Sequence, residues 1–251
     1  MRESVLRLEQ FYASPMGQAA RDMASRRLQT LWSDLAGRNV LGFGYCAPYL
    51  DPYAPGANRV VFAMPAEQGA IAHTGQRGVN ACLTDEEVLP FTDATFDTVL
   101  CVHGVEEAAN LPRLMSELWR VCRPEGRIVI IASNRAGLWA RSEKSPFGAG
   151  RPFSRAQLRQ AMRRVGFQPT VWAGALYAPP LKLFTKGSLL LGAERFGEMV
   201  TPGLSGLILV EGIKRLYIEP HHGGTSKSVV ALPRFGGSPI ANRVRASHRE
   251  R

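Results

Sequence analysis

Residues 83–131 read LTDEEVLPFTDATFDTVLCVHGVEEAANLPRLMSELWRVCRPEGRIVII, and their order decides the fold. An acidic turn, Asp85-Glu86, leads into Leu89-Pro90-Phe91. Phe96-Asp97 then opens a short apolar run over 96–102. Residues 110–122 place Leu111, Leu114, Met115, Leu118 and Val121 at three- and four-residue steps, which predicts an amphipathic helix. Arg123-Pro124-Glu125-Gly126 is a turn, and 127–132 is a second apolar run. Runs apolar at every position, rather than alternately, are how strands buried between two helical layers read.

The same pattern extends outward. Strands are predicted at 39–43, 58–63, 79–83, 170–175 and 206–217. A helix is predicted over 17–36, with Ala20, Met23, Ala24, Leu28, Leu31, Trp32 and Leu35 on one stripe and Gly37 at its end. Another is predicted over 153–166. Ser154 and Gln157 have capping-box spacing there, Leu158, Ala161, Met162 and Val165 form the stripe, and Gly166 is the stop. The expected fold is α/β, a doubly wound and mostly parallel seven-stranded sheet. The expected organisation is an N-terminal helical segment at 1–36, a main domain at 37–217 with an insertion at 176–205, and a basic tail at 218–251.

The 83–131 block resembles the middle of a class I S-adenosylmethionine (SAM) dependent methyltransferase, of the small-molecule "type 11" kind. The resemblance implies a Rossmann-like fold, SAM as cofactor and a small-molecule methyl acceptor. It implies cofactor contacts at the carboxyl ends of the strands, where open parallel sheets bind ligands. These fall on Gly42, Gly44 and Tyr45 after the first strand, on Asp85 and Glu86 after the third, and on His103 after the fourth. Asp85 stands where the family's adenine-contacting acid lies. The long segment after the fifth strand would cover the substrate with Asn134, Arg135, Trp139 and Arg151. Two motifs depart from the family. The glycine-rich loop keeps Gly44, but Cys46 and Pro48 replace its other glycines and Gly42 replaces its acid. The ribose-binding acid at the end of the second strand is replaced by Ala63 and Met64, with Glu67 a few residues late. Methyl transfer requires alignment more than acid–base chemistry, so no catalytic residue is singled out. A methyltransferase-fold binding or regulatory protein without turnover is the alternative reading.

The 251 residues carry a net charge of +10, and 220–251 hold six Lys/Arg against one Glu. A basic end of this kind attracts nucleic acid, an acidic partner or a membrane surface, or serves as a solubilising, disordered tail. A lone Phe235 among its charges does not make a base-stacking motif, so none supports nucleic acid. The four cysteines, at 46, 82, 101 and 122, lack metal-ligand spacing, and no metal is expected. No apolar run reaches the length of a membrane span and the N-terminus lacks a signal-peptide core, so a cytoplasmic location is expected.

Overall fold

The apolar runs pair into one sheet. The computed structural model describes residues 2–216 apart from 33, 76, 77, 144 and 186. The basic tail at 218–251 lies outside the described residues. The strands are β1 (Asn39–Gly44), β2 (Arg59–Pro65), β3 (Thr74–Gly75), β4 (Gly78–Val79), β5 (Ala81–Thr84), β6 (Phe96–Val102), β7 (Cys122–Ser133), β8 (Phe167–Ala175) and β9 (Leu207–Lys214). The sheet order is β5-β2-β1-β6-β7-β9-β8, while β3 and β4 form a separate small hairpin. Strands β5 through β7 pair in parallel, and β9 runs antiparallel to both its neighbours. This is the expected doubly wound α/β sheet.

Alternate residues of the buried strands feed two cores. Val40, Leu100, Val129, Ile131 and Leu209 face one layer. Leu41, Phe43, Val99, Cys101, Ile128, Ile130 and Val210 face the other. Helices α1 (Val5–Ala13), α2 (Pro15–Leu31) and α3 (Ala47–Leu50) bury residues in the first core, and α4 (Leu111–Val121) and α5 (Arg155–Val165) in the second. The capping box at Ser154/Gln157 is formed, and Gly166, at φ 99°, ends α5 in the left-handed conformation.

Four local features differ from the expectation. Helix α2 stops at Leu31 rather than at 36, because Trp32 turns to extended backbone. The stretch after β1 contains α3, whose Tyr49 and Leu50 are core residues. The insertion at 176–205 holds a 14-residue helix, α6 (Gly187–Val200). Nine residues near the N-terminus also form a helix, α1, with Ser4 capping it through Arg7 N–H. It abuts α2 so closely that a Cβ on Gly17 would collide with the Phe11 carbonyl.

Candidate functional site

Strand order reverses beside β1, whose neighbours are β2 on one side and β6 on the other. The carboxyl ends of β1, β2, β5 and β6 therefore frame the crevice where a ligand would lie. The loop leaving β1 is fastened to the end of β6. Gly44 is at φ 83°, and a Cβ there would run into the Val102 carbonyl oxygen. Tyr45 N–H donates to that same oxygen at 2.9 Å. Cys46 Sγ donates to the carbonyls of Phe43 (3.2 Å) and Leu100 (3.3 Å), and burial pushes its thiol pKa up. Gly42 lies within β1. A Cβ there would sit 2.8 Å from Cys46 Cβ and 2.9 Å from Leu50 Cδ1, so the space that an acidic side chain would need is filled.

At the end of β6, His103 is buried with φ 52°. Its Nε2 lies 2.9 Å from Tyr12 Oη, which lies 2.9 Å from Tyr49 Oη. Its ring stacks on Phe147 at 4.9 Å, and Tyr12 stacks on Tyr45 at 5.5 Å. Burial lowers the His103 pKa to about 3, so the imidazole is neutral at physiological pH. Burial holds the Tyr12 phenol pKa well above its ordinary value.

The N-terminal segment lies over these strand ends. Buried Arg2 pairs with Glu86 and donates to Gly104 O at 3.3 Å. Glu86 also accepts from Ala109 N–H at 2.7 Å. Glu3 N–H is held by both oxygens of Glu107, and Val5 N–H donates to Gln68 O at 2.8 Å. Beneath this cover lie polar atoms without partners. They are both amide atoms of Gln68, which is 2% exposed, and Thr84 Oγ1 at the end of β5. A third side chain, Glu106, accepts from Ser133 N–H (2.8 Å) and Ser133 Oγ (3.3 Å) through Oε1, while Oε2 has no partner. Burial is the main cause that raises the Glu106 pKa to about 7. A pocket of about 270 Å³ lies beside the cover, lined by Glu3, Arg7, Phe11 and Ser145 among others.

Of the residues singled out from sequence, Gly44, Tyr45 and His103 come together around Val102, and Glu86 meets Arg2. Asp85 is exposed and accepts from Glu87 N–H at 2.8 Å. The four residues after β7 go to different partners. Asn134 bonds the carbonyls of Gly203 (3.0 Å) and Ser205 (2.7 Å), and Trp139 Nε1–H bonds Ala178 O at 2.8 Å. Arg135 and Arg151 are exposed and reach the carbonyls of Pro152 and Ala108. Arg2, Tyr12 and Gln68 are not singled out from sequence, whereas Glu106 is noted with Glu107 as a neighbour able to orient His103 or bind a cationic substrate. A signal for the first two existed in Val5, Leu8 and Tyr12 at helical spacing between Ser4 and Ser14-Pro15. For Gln68 there was none.

Residues 41–130 match the family model described as a methyltransferase domain. That match covers about a third of the chain, and the seven-stranded sheet around it has the fold of methyltransferase domains. A demethylmenaquinone methyltransferase of Thermus thermophilus is 32% identical over 114 residues, 42% of this chain and 52% of that protein. One from Deinococcus radiodurans is 42% identical over 43 residues, 17% of this chain and 18% of that protein. The chain spans about half the length, or less, of the curated relatives it matches. Among solved structures, a SAM-dependent methyltransferase of Thermotoga maritima superimposes with a TM-score of 0.62 at 19% identity, covering 84% of this chain and 96% of that one. The geranyl diphosphate C-methyltransferase of Streptomyces coelicolor, solved with Mg2+, geranyl diphosphate and S-adenosyl-L-homocysteine, gives 0.55 at 19% identity over 77% of each chain. At these identities the likeness is one of fold.

Proposed function

We propose that this chain transfers a methyl group from SAM to a small-molecule acceptor, of the quinone-precursor kind that its curated relatives are named for. The observation that carries the reading is the set of unpartnered polar atoms on Gln68, in the turn just beyond β2, and on Thr84, at the end of the adjacent strand β5, in a methyltransferase-type sheet. Buried polar atoms in folded proteins nearly always have a partner. Two neighbouring exceptions fit a ligand that brings hydroxyls and ring nitrogens, as an adenosyl group does. Gln68 thus supplies, as a neutral amide, the acceptor that the strand end lacks at Ala63 and Met64.

In this reading Gln68, Thr84 and the backbone beside Gly44 and Tyr45 would hold the cofactor, with Asp85, Glu86 and His103 around it. When bound, SAM supplies an electrophilic methyl on a sulfonium that is already a good leaving group. The chain's own part is to orient the acceptor, exclude water and take up a proton. Glu106, with a free Oε2 and a pKa of about 7, accepts the proton that an acceptor hydroxyl gives up. Neutral His103 holds Tyr12 in place and carries no charge of its own. Binding requires the Arg2–Glu86 and Val5–Gln68 contacts to open, since residues 2–12 cover the same strand ends.

A non-catalytic binding protein is the second reading, favoured by that cover and by the Cys46 and Leu50 packing against Gly42. Calorimetric titration with SAM and S-adenosyl-L-homocysteine, followed by label transfer from methyl-tritiated SAM to a reduced naphthoquinone, separates the two. Binding with transfer supports the enzyme. Binding without transfer to this or other phenolic acceptors supports the second reading, and no binding at millimolar ligand rejects both as SAM proteins.

A further inference from the structure

The insertion presents an apolar face that nothing in the described chain covers. On α6, Leu189, Phe196, Met199 and Val200 are 49%, 64%, 78% and 54% exposed. Their spacing of seven, three and one residues places them on one side of the helix. Leu183 before the helix and Leu204 after it extend the face and are 68% and 52% exposed. The surface is open: a Cβ added at Gly187, Gly192 or Gly203 would meet no atom within 4 Å. The opposite side of α6 is anchored by buried Leu190 and by Glu194, which accepts from Ala178 N–H at 3.1 Å.

Protruding Leu, Phe and Met side chains on one helix are the pattern of an interfacial helix that enters the headgroup region of a bilayer. Charge selects the bilayer's kind. Both acids of α6 are engaged by the protein, Glu194 inward with Ala178 and Glu198 with Arg27. Arg195 is exposed on the helix, Lys182 and Lys186 precede it in sequence, and the whole chain is at +10. Such a balance is drawn to anionic lipid more strongly than to zwitterionic lipid. Among the described residues no helix is long and apolar enough to cross a membrane, so the contact lies in the surface plane. A self-contact fits less well. A stable dimer seam buries about 800 Å² per partner with close complementarity, whereas this face is a single helix side with flanking turns.

We infer that α6 and its flanking turns dock the protein on an anionic bilayer surface, with Phe196 and Met199 entering the acyl boundary. This stands on the surface alone and holds whether or not the chain methylates anything. The test is flotation of the full chain with phosphatidylcholine vesicles and with phosphatidylcholine/phosphatidylglycerol vesicles, for the wild type and for the double variant Phe196→Asp, Met199→Asp. Both residues are solvent-exposed, so an unchanged thermal melt shows that the fold is kept. Wild type is expected to float with the anionic vesicles and lose that binding as salt is raised. The double variant is expected to partition about tenfold or more weakly at the same salt. The inference is overturned if the wild type stays in solution with anionic vesicles, or if the double variant floats equally well, which would assign the binding to basic residues elsewhere. Light scattering that shows a dimer abolished by the double variant, with no vesicle binding, would also overturn it and make the face a self-contact.

Discussion

Glu106→Gln tests the electrostatics at the strand ends most directly. The wild-type carboxyl is buried, gains only the Ser133 bonds on Oε1 and leaves Oε2 bare. Desolvation thus outweighs hydrogen bonding, and the pKa rises from 4.5 to about 7. A carboxyl whose folded pKa is raised favours the protonated folded state. Its contribution is most stabilising below the unfolded pKa and is lost as pH climbs through about 7. At 1.36 kcal/mol per pKa unit, the loss between pH 4.5 and full ionisation is about 3 kcal/mol. Glutamine keeps an acceptor for Ser133 and cannot ionise. The difference in unfolding free energy between variant and wild type should therefore shift in the variant's favour by about 2–3 kcal/mol from pH 5 to pH 8. Urea unfolding followed by tryptophan fluorescence at both pH values measures it. Glu194, whose pKa burial also raises, contributes alike to both proteins and cancels in the difference. A difference that stays constant between pH 5 and pH 8 refutes the reasoning, because Glu106 would then ionise as it does in the unfolded chain.

Gln68→Met removes two buried amide atoms that lack partners, so the melting curve should move up, by about 1 kcal/mol in stability, while calorimetry should show weaker binding of S-adenosyl-L-homocysteine. Gly44→Ala places a Cβ against Val102 O at a positive φ, and chemical denaturation should register a loss of about 2 kcal/mol or more. Lys214→Met should lower stability by about 2 kcal/mol in the same assay. Lys214 Nζ donates to the carbonyls of Trp119 (2.7 Å) and Cys122 (2.6 Å) at the end of α4 and lies 3.8 Å over the Trp119 ring, so both carbonyls would lose their charged donor.

Much of the fold was legible because it is written in short-range pattern. The stretch from Phe96 to Ile131 specifies a strand, a helix and a strand through residue type and spacing alone, and Ser154, Gln157 and Gly166 mark the ends of α5 within a dozen residues. The resemblance carried by Asp85, Leu89-Pro90-Phe91 and the Arg123–Gly126 turn assembled these pieces into the right sheet. The strand ends were less legible. Gly44 could be read as a family glycine, but its neighbour across the turn, Val102 O, is set by pairing between β1 and β6. Asp85 could be read by position, but that it accepts from Glu87 N–H within its own turn at the surface is visible only in the structure.

The sequence by itself determined the class I sheet, its helices and the loss of the strand-two acid, because periodicity, caps and turn residues act over a few positions. Only the tertiary structure decided what lies at the carboxyl ends. Tyr12 meets His103 across 91 residues of chain and Arg2 meets Glu86 across 84. The burial that neutralises His103 and raises Glu106 depends on which segment covers them. Whether a glutamine in a loop keeps its hydrogen bonds, or waits under a helix without them, is a property of the packed molecule and is carried by no local pattern.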